Sequence, residues 1–252
     1  MIPISESQNE VLRTEKIKHR RIIIATAIPV AFLPLLVWVL FHFGVIPNNP
    51  TFASDIQEPV AKVVTKSGTG TAFLISPTML LTARHVVEGM AVGDEVELVF
   101  EHTVNQFQTK AKIFYIAPSN TQISKDETVN IDYFKTDVAV LQVPEISDIS
   151  PLALGESSTV VNLDEVILIG YPNGDYSITK GNINSVTYQG LDLFKLDATS
   201  NPGNSGGPCI FKNDNTVIGI LVGGSAIAKQ GENIALKIDD VKRILEQAGI
   251  SY

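Results

Sequence analysis

Ser205 lies inside Asn201-Pro202-Gly203-Asn204-Ser205-Gly206-Gly207-Pro208. Glycines this dense around one serine permit backbone angles that other residues resist, so the chain can turn sharply and aim successive N–H groups at one point. That point, beside the Ser205 hydroxyl, is where negative charge would collect if the hydroxyl attacked a carbonyl carbon. Pro202 stiffens the entry to the turn and Pro208 its exit. A serine hydroxyl is a weak nucleophile unless a base takes its proton, and the base needs an acid to orient it. The chain has four histidines. His19 stands in a basic tail, His42 at the end of an apolar run, and His102 behind Glu101 in a charged turn. His85 is different: it follows the strand-like run Met79-Leu80-Leu81-Thr82, so a rigid element can present its ring to a cleft. Asp137 leads directly into Val138-Ala139-Val140-Leu141-Gln142-Val143. A carboxylate there is costly to bury unless it accepts hydrogen bonds, and the Nδ1–H of His85 is a fitting donor. Asp132 is a rival acid, but Tyr133-Phe134-Lys135 after it is not a clean apolar strand. Taken singly, each residue has a plainer reading: Ser205 in a Gly-rich hairpin, His85 as a structural histidine, Asp137 as the cap of a strand.

The elements that must position these residues read as short strands bounded by turn signals. Runs at 60–64, 71–75, 79–82, 95–100, 106–116 and 138–143 form a first set. Runs at 166–169, 177–188, 191–196, 209–211, 216–222 and 233–237 form a second. Glu95-Val96-Glu97-Leu98 alternates with period two, the mark of a half-buried strand. The end is helical: Ile238, Val241, Ile244, Leu245 and Ala248 recur at helical spacing, with Asp239 and Asp240 at the start and Gly249 at the stop. The connection 117–136 is polar and long; it reads as a solvated surface loop, with a substrate or partner contact as the alternative.

Three motifs then stand in order. Thr82-Ala83-Arg84-His85-Val86-Val87, Thr136-Asp137-Val138-Ala139-Val140-Leu141 and Gly203-Asn204-Ser205-Gly206-Gly207-Pro208 resemble the His, Asp and Ser motifs of trypsin-like serine proteases of the chymotrypsin fold. The Gly-Asn-Ser-Gly-Gly version is similar to the HtrA (Deg) group. Ser67-Gly68-Thr69-Gly70-Thr71-Ala72-Phe73-Leu74-Ile75 resembles the Gly-rich strand before the histidine, and Ile167-Leu168-Ile169-Gly170-Tyr171-Pro172-Asn173-Gly174 the strand opening a second barrel. The likeness covers roughly residues 57–237. It implies an all-β fold of two six-stranded antiparallel β-barrels with a C-terminal helix, and a serine endopeptidase acting on protein or peptide substrates. His85, Asp137 and Ser205 become the triad, and the N–H groups of Gly203 and Ser205 the oxyanion hole. Thr199 is implied near the base of the primary pocket, with Val222, Gly223 and Gly224 as its wall. Thr199 carries no charge, so a small or medium apolar side chain is expected before the scissile bond, an expectation that Asp197 nearby can change. Asn204 stands where digestive relatives have an aspartate that pairs with a new N-terminus, so activation by N-terminal cleavage is not expected. In some relatives the oxyanion loop has two forms, which makes Gly203-Asn204 a candidate switch. HtrA-like enzymes commonly carry a PDZ domain after the protease, and none is expected here. The alternative reading is a latent or inactive tethered module that binds peptides without cutting them.

The N-terminus supplies the other large inference. Residues 22–46 contain no Asp, Glu, Lys or Arg. As a helix this run is about 37 Å long, enough to cross a hydrocarbon core of about 30 Å. Lys16, Lys18, Arg20 and Arg21 precede it, and the first charge after it is Asp55. The excess of cations on one side places residues 1–21 in the cytoplasm and the remainder outside, in a bacterial periplasm or at a cell surface. Trp38, Phe41 and Phe43 near the far end suit an interfacial belt. A cleaved signal peptide is the competing reading, but its apolar core is usually only about 7–15 residues. The expected organisation is a tail (1–21), a transmembrane helix in the lipid bilayer (22–46), a Pro-rich linker (47–58) and a protease domain (59–252). Within the last, the barrels span about 59–150 and 151–237, and the helix 238–249.

Net charge is −8, and the first 21 residues carry five basic and three acidic groups, so the remainder is −10. An acidic exterior argues against nucleic acid as a partner. Cys209 is the single cysteine, so no internal disulfide can form, which suits a bacterial envelope. It reads as a buried strand residue. No His/Cys/Asp grouping has metal-site spacing, and no cofactor is implied.

Overall fold

The computed structural model describes residues 56–103, 105–119, 131–223 and 232–252. The expected cytoplasmic tail, the transmembrane helix at 22–46 and most of the 47–58 linker lie outside the described residues. Among the described residues no helix is long and apolar enough to cross a membrane.

Six strands build the first barrel: β1 (Val60–Thr65), β2 (Gly68–Ser76), β3 (Met79–Thr82), β4 (Glu95–Phe100), β5 (Phe107–Ile116) and β6 (Ala139–Gln142). They close in the order β1-β2-β3-β6-β5-β4. Six more build the second: β7 (Glu165–Gly170), β8 (Ser177–Ser185), β9 (Leu193–Leu196), β10 (Pro208–Phe211), β11 (Val217–Gly223) and β12 (Asn233–Lys237). These close in the order β10-β11-β12-β9-β8-β7. All the pairings between these strands are antiparallel. Closure gives every one of these strands a neighbour on both sides.

The residues explain the elements. In β4 the buried positions are Val96, Leu98 and Phe100 while Glu95 and Glu97 face water, the alternation expected of a barrel wall with one dry side. β11, Val-Ile-Gly-Ile-Leu-Val-Gly, is buried throughout, with the C-terminal helix packed against it and Leu154 bridged to its first residue. Two boundaries differ from expectation by three residues. β2 begins at Gly68 rather than at residue 71, because Thr65 pairs with Gly68 across a tight hairpin. The run expected at 177–188 stops at Ser185, where the register with β9 shifts between Ile183 and Ser185. A Tyr188–Leu191 bridge then closes a turn whose two central residues, Gln189 and Gly190, both have positive φ, as tight hairpin turns require.

The helix α1 spans Ile238–Gln247 and buries Ile238, Val241 and Leu245. It stops two residues short of the expected 249 because Gly249 adopts φ +70. The Ile250 N–H then reaches back to the Leu245 carbonyl (2.9 Å) and the Gly249 N–H to that of Glu246 (3.0 Å), which satisfies carbonyls the helix leaves open.

The barrels dock along a seam with its own core. Tyr171, fully buried, belongs to β7's exit, yet its hydroxyl donates to the Val60 carbonyl of β1 (3.4 Å). Lys62 of β1 donates to the Gly174 carbonyl (3.1 Å) and pairs with Glu101 (2.5 Å). His85 and Ser205 line a cleft at this seam.

Candidate active site

β3 and β6 are neighbours, with Thr82 paired to Ala139. Antiparallel pairing therefore brings the residues just after Thr82 beside those just before Ala139. His85 sits in a short 3-10 turn (Arg84–Val87) directly after β3. Asp137 stands between a second 3-10 turn (Ile131–Thr136) and β6. Residues 52 apart in sequence thus become neighbours.

Asp137 has no solvent exposure. Both of its oxygens are engaged by His85: Oδ1 accepts the backbone N–H (2.9 Å) and Oδ2 meets Nδ1 (2.6 Å). A carboxylate facing Nδ1 fixes the tautomer with hydrogen on Nδ1, leaving Nε2 free as an acceptor. Burial opposes protonation of this imidazole, but the charge and hydrogen bond of Asp137, helped by Glu88, outweigh it, so the His85 pKa is raised above 6.5; Arg84 acts against the rise.

Ser205 comes from the second barrel, on the loop before β10. Its carbonyl accepts the Thr71 N–H of β2 (2.9 Å), while the N–H of Gly206 donates to the Leu221 carbonyl of β11 (2.8 Å). The nucleophile loop is therefore held between the two barrels. Thr71 is the hub of that attachment: fully buried, it donates its hydroxyl to the Gly203 carbonyl (2.7 Å), and its Oγ1 accepts the Tyr171 N–H (3.1 Å). Gly206 has φ +84, and a Cβ there would lie 2.2 Å from the Thr71 carbonyl oxygen. Gly203 has φ +105, and its Cβ would lie 2.2 Å from the Tyr171 carbonyl oxygen. Neither position can take a side chain without displacing backbone.

The directions of the two donors follow from peptide geometry. In a trans peptide unit the C=O of one residue and the N–H of the next point opposite ways, and no described peptide bond is cis. The Pro202 carbonyl accepts the Asn173 N–H (2.8 Å), so the N–H of Gly203 points away from Asn173. The Asn204 carbonyl accepts the Gly207 N–H (2.9 Å), which turns the N–H of Ser205 to the other side. Among the described residues neither N–H has a protein acceptor. Gly203, Ser205 and His85 line one cleft of about 380 Å³. The Ser205 hydroxyl makes no hydrogen bond to His85 in this arrangement, a looseness common at sites of this chemistry before substrate tightens them.

Arg84 was not singled out in the sequence. It is buried, and its guanidinium donates to the Thr136 carbonyl (2.8 Å), the Thr136 hydroxyl (3.0 Å) and the Tyr133 carbonyl (3.1 Å). It also lies 4.2 Å over the Tyr133 ring. One side chain next to His85 thereby clamps the segment that delivers Asp137. Its place between two motif positions was the only sequence signal. Thr71 gave less, since a threonine in a strand reads as an ordinary strand former.

The remaining expected residues fall elsewhere. Thr199 is exposed, and its carbonyl accepts the Thr179 hydroxyl (2.9 Å). Val222 and Gly223 are buried in β11, and Gly224 lies outside the described residues. None of Thr199, Val222 and Gly223 lines the cleft that holds Ser205. Asp197 accepts the Asn182 N–H of β8 (2.7 Å), which ties its carboxylate to the barrel wall. Both contacts between His85 and a carboxylate are made by Asp137, and the side chain of Asp132 lies outside the described residues. His102 stacks on Tyr176 with centroids 3.5 Å apart, and it does not line the cleft. Cys209 is fully buried in β10, and burial pushes its thiol up to about 12, so it is not a nucleophile.

Two closed antiparallel barrels with a buried Asp–His pair on one and a Gly-flanked serine on the other define the architecture of trypsin-like peptidases. The model of the trypsin-like peptidase domain matches residues 70–220, and the chain belongs to that family. It is 31% identical over 180 residues to the magnetosome formation protease MamE of Paramagnetospirillum magneticum, covering 68% of this chain and 22% of that protein. It is 33% identical over 160 residues to a probable periplasmic serine endoprotease, DegP-like, of Pseudomonas savastanoi, covering 60% of this chain and 28% of that protein. The chain therefore spans only about a quarter of the length of these relatives. Among solved structures, the HtrA-type protease AlgW with a tripeptide superimposes with TM-score 0.61 at 25% identity, covering 80% of this chain and 65% of that one. The active form of the Rv3671c protease from M. tuberculosis shares the fold, with TM-score 0.59 at 23% identity over 81% of this chain and 86% of that one.

Proposed function

We propose that this chain is a serine endopeptidase that hydrolyses peptide bonds in proteins through an acyl-enzyme. The observation that carries the reading is the double engagement of buried Asp137 by His85, with His85 sharing one cleft with Ser205 and Gly203. In the forward step His85 Nε2 takes the proton from Ser205 as Oγ bonds to the peptide carbonyl carbon. The carbonyl oxygen becomes an oxyanion held by the N–H groups of Gly203 and Ser205. Collapse breaks the C–N bond, and His85 gives its proton to the departing amine. A water molecule, deprotonated by His85, then releases the acyl group. Asp137 keeps hydrogen on Nδ1 and stabilises the imidazolium formed in each half-reaction.

The pocket before the scissile bond is assigned to Thr199, Val222, Gly223 and Gly224, with a small or medium apolar preference. Residues 22–46 are assigned to a membrane helix, with 1–21 in the cytoplasm, 47–58 as a linker and the protease domain of 59–252 on the extracytoplasmic side. Support for the anchor is the uncharged run itself and the four cations just before it. Retention of the chain in membranes after alkaline washing is expected, and release into the wash would sink the anchor.

The free Ser205 hydroxyl favours one other reading, a latent module that binds peptides and does not cut them. A fluorophosphonate probe applied to the full chain separates the two. Covalent labelling that maps to Ser205 and disappears in Ser205→Ala is expected. A folded chain that takes no label would leave only the binding module.

A further inference from the structure

Ser205 stands between two strands. Its carbonyl is bonded to Thr71 of β2, and the two glycines after it exchange bonds with Leu221 of β11. The residues assigned to the side of the substrate before the scissile bond, Thr199, Val222 and Gly223, belong to the β11 side or its neighbours and do not line the cleft. The cleft instead continues from Ser205 and His85 along Val86, Glu88 and the β1–β2 hairpin, all in the first barrel. His85 must hand its proton to the departing amine, so the departing segment lies beside His85, in this cleft.

Apart from His85, Glu88 is the one ionisable residue among the described residues that line this cleft. It is exposed, and its charge reaches far enough to act on the His85 ring. In the hairpin wall the Thr65 hydroxyl bonds to that of Ser67 (3.0 Å) and to the Gly68 carbonyl (3.0 Å). Thr69 also lines the cleft. Lys66, at the hairpin tip, is exposed and does not line the cleft. A short, hydroxyl-bearing channel with one carboxylate at its side suits a polar cation. We propose that Glu88 selects lysine or arginine in the first two residues after the scissile bond, an inference that rests on the endopeptidase reading above.

Because Glu88 is exposed, the preference is modest and salt-sensitive: about three- to fivefold at low ionic strength. The test uses the full chain and a peptide whose cleavage site has been mapped by mass spectrometry, made in pairs with Lys or Glu just after that site. The readout is the ratio of kcat/KM for the two peptides, in which any effect of Glu88 on His85 common to both cancels. A ratio of about three or more that falls toward one in Glu88→Gln, and holds in Lys66→Ala, is expected. A ratio unchanged by Glu88→Gln, or altered as much by Lys66→Ala, overturns the proposal. Fluorophosphonate labelling is run in parallel. Labelling at Ser205 with charge-blind cleavage refutes this inference alone, whereas a folded chain without label refutes the peptidase reading and this inference with it.

Discussion

Asp137→Asn changes one atom type, and the structure says which way the new amide must face. Oδ1 of Asp137 accepts the His85 backbone N–H (2.9 Å), a donor that cannot change its role. The oxygen of the new amide therefore stays on that N–H, and its NH2 group is turned to Nδ1, which in the wild type lies 2.6 Å from Oδ2. An NH2 group can only donate, so Nδ1 must accept, and the ring hydrogen moves to Nε2. The imidazole then offers an N–H to Ser205 and cannot take its proton. Position 137 has no exposure, so no water stands in for the amide at Nδ1. The same substitution in a comparable triad lowers kcat about 10⁴-fold. That loss corresponds to about 5 kcal/mol of barrier. Near-native volume and one retained hydrogen bond mean that the fold survives. The assay is peptide turnover and the rate of fluorophosphonate labelling on the full chain, with circular dichroism as the check on folding. A folded Asp137→Asn enzyme retaining more than about a tenth of wild-type kcat would refute the tautomer argument.

The acid limb of kcat/KM against pH reports His85, because only the neutral ring can accept the Ser205 proton. Its pKa is raised, so activity is expected to fall as pH drops through a value above 6.5. Glu88 raises and Arg84 lowers that pKa, so Glu88→Gln is expected to move the limb to lower pH and Arg84→Met to higher pH; shifts of the opposite signs would refute the electrostatic account. Arg84→Met also removes a charged donor from the Tyr133 and Thr136 carbonyls, the second of which keeps the Val138 N–H, at a cost of about 1–3 kcal/mol measured by denaturant unfolding. Arg84→Lys keeps the charge and loses the planar fork, so it is expected to leave the acid limb in place while lowering kcat more than it raises KM, as a positioning role requires.

How far the sequence alone reaches depends on whether a property is local. Alternation along residues 95–100 defines the buried face of β4 because side chains of a strand point to opposite sides whatever lies beyond. Gly249 marks the end of α1 because only a residue tolerant of positive φ ends a helix in that way. His85, Asp137 and Ser205 could be proposed from the sequence because their three motifs stand in order, each at a strand end or in a Gly-rich turn, although each residue taken singly has a plainer reading. Even the buried position of Cys209 follows from its own strand. The rest depended on neighbours distant in the chain. Whether Asp137 or Asp132 meets His85 was decided by the pairing of Thr82 with Ala139. Arg84 and Thr71 act through carbonyls 49, 52 and 132 residues away, and a buried donor reveals its purpose only when its acceptor is in place. The orientation of the Gly203 N–H came from Asn173, a residue of the other loop. The side of Ser205 on which the cleft opens came from the docking of two barrels. Residue type and period determine which groups are available and which face they take; closure of the barrels determines which of them meet.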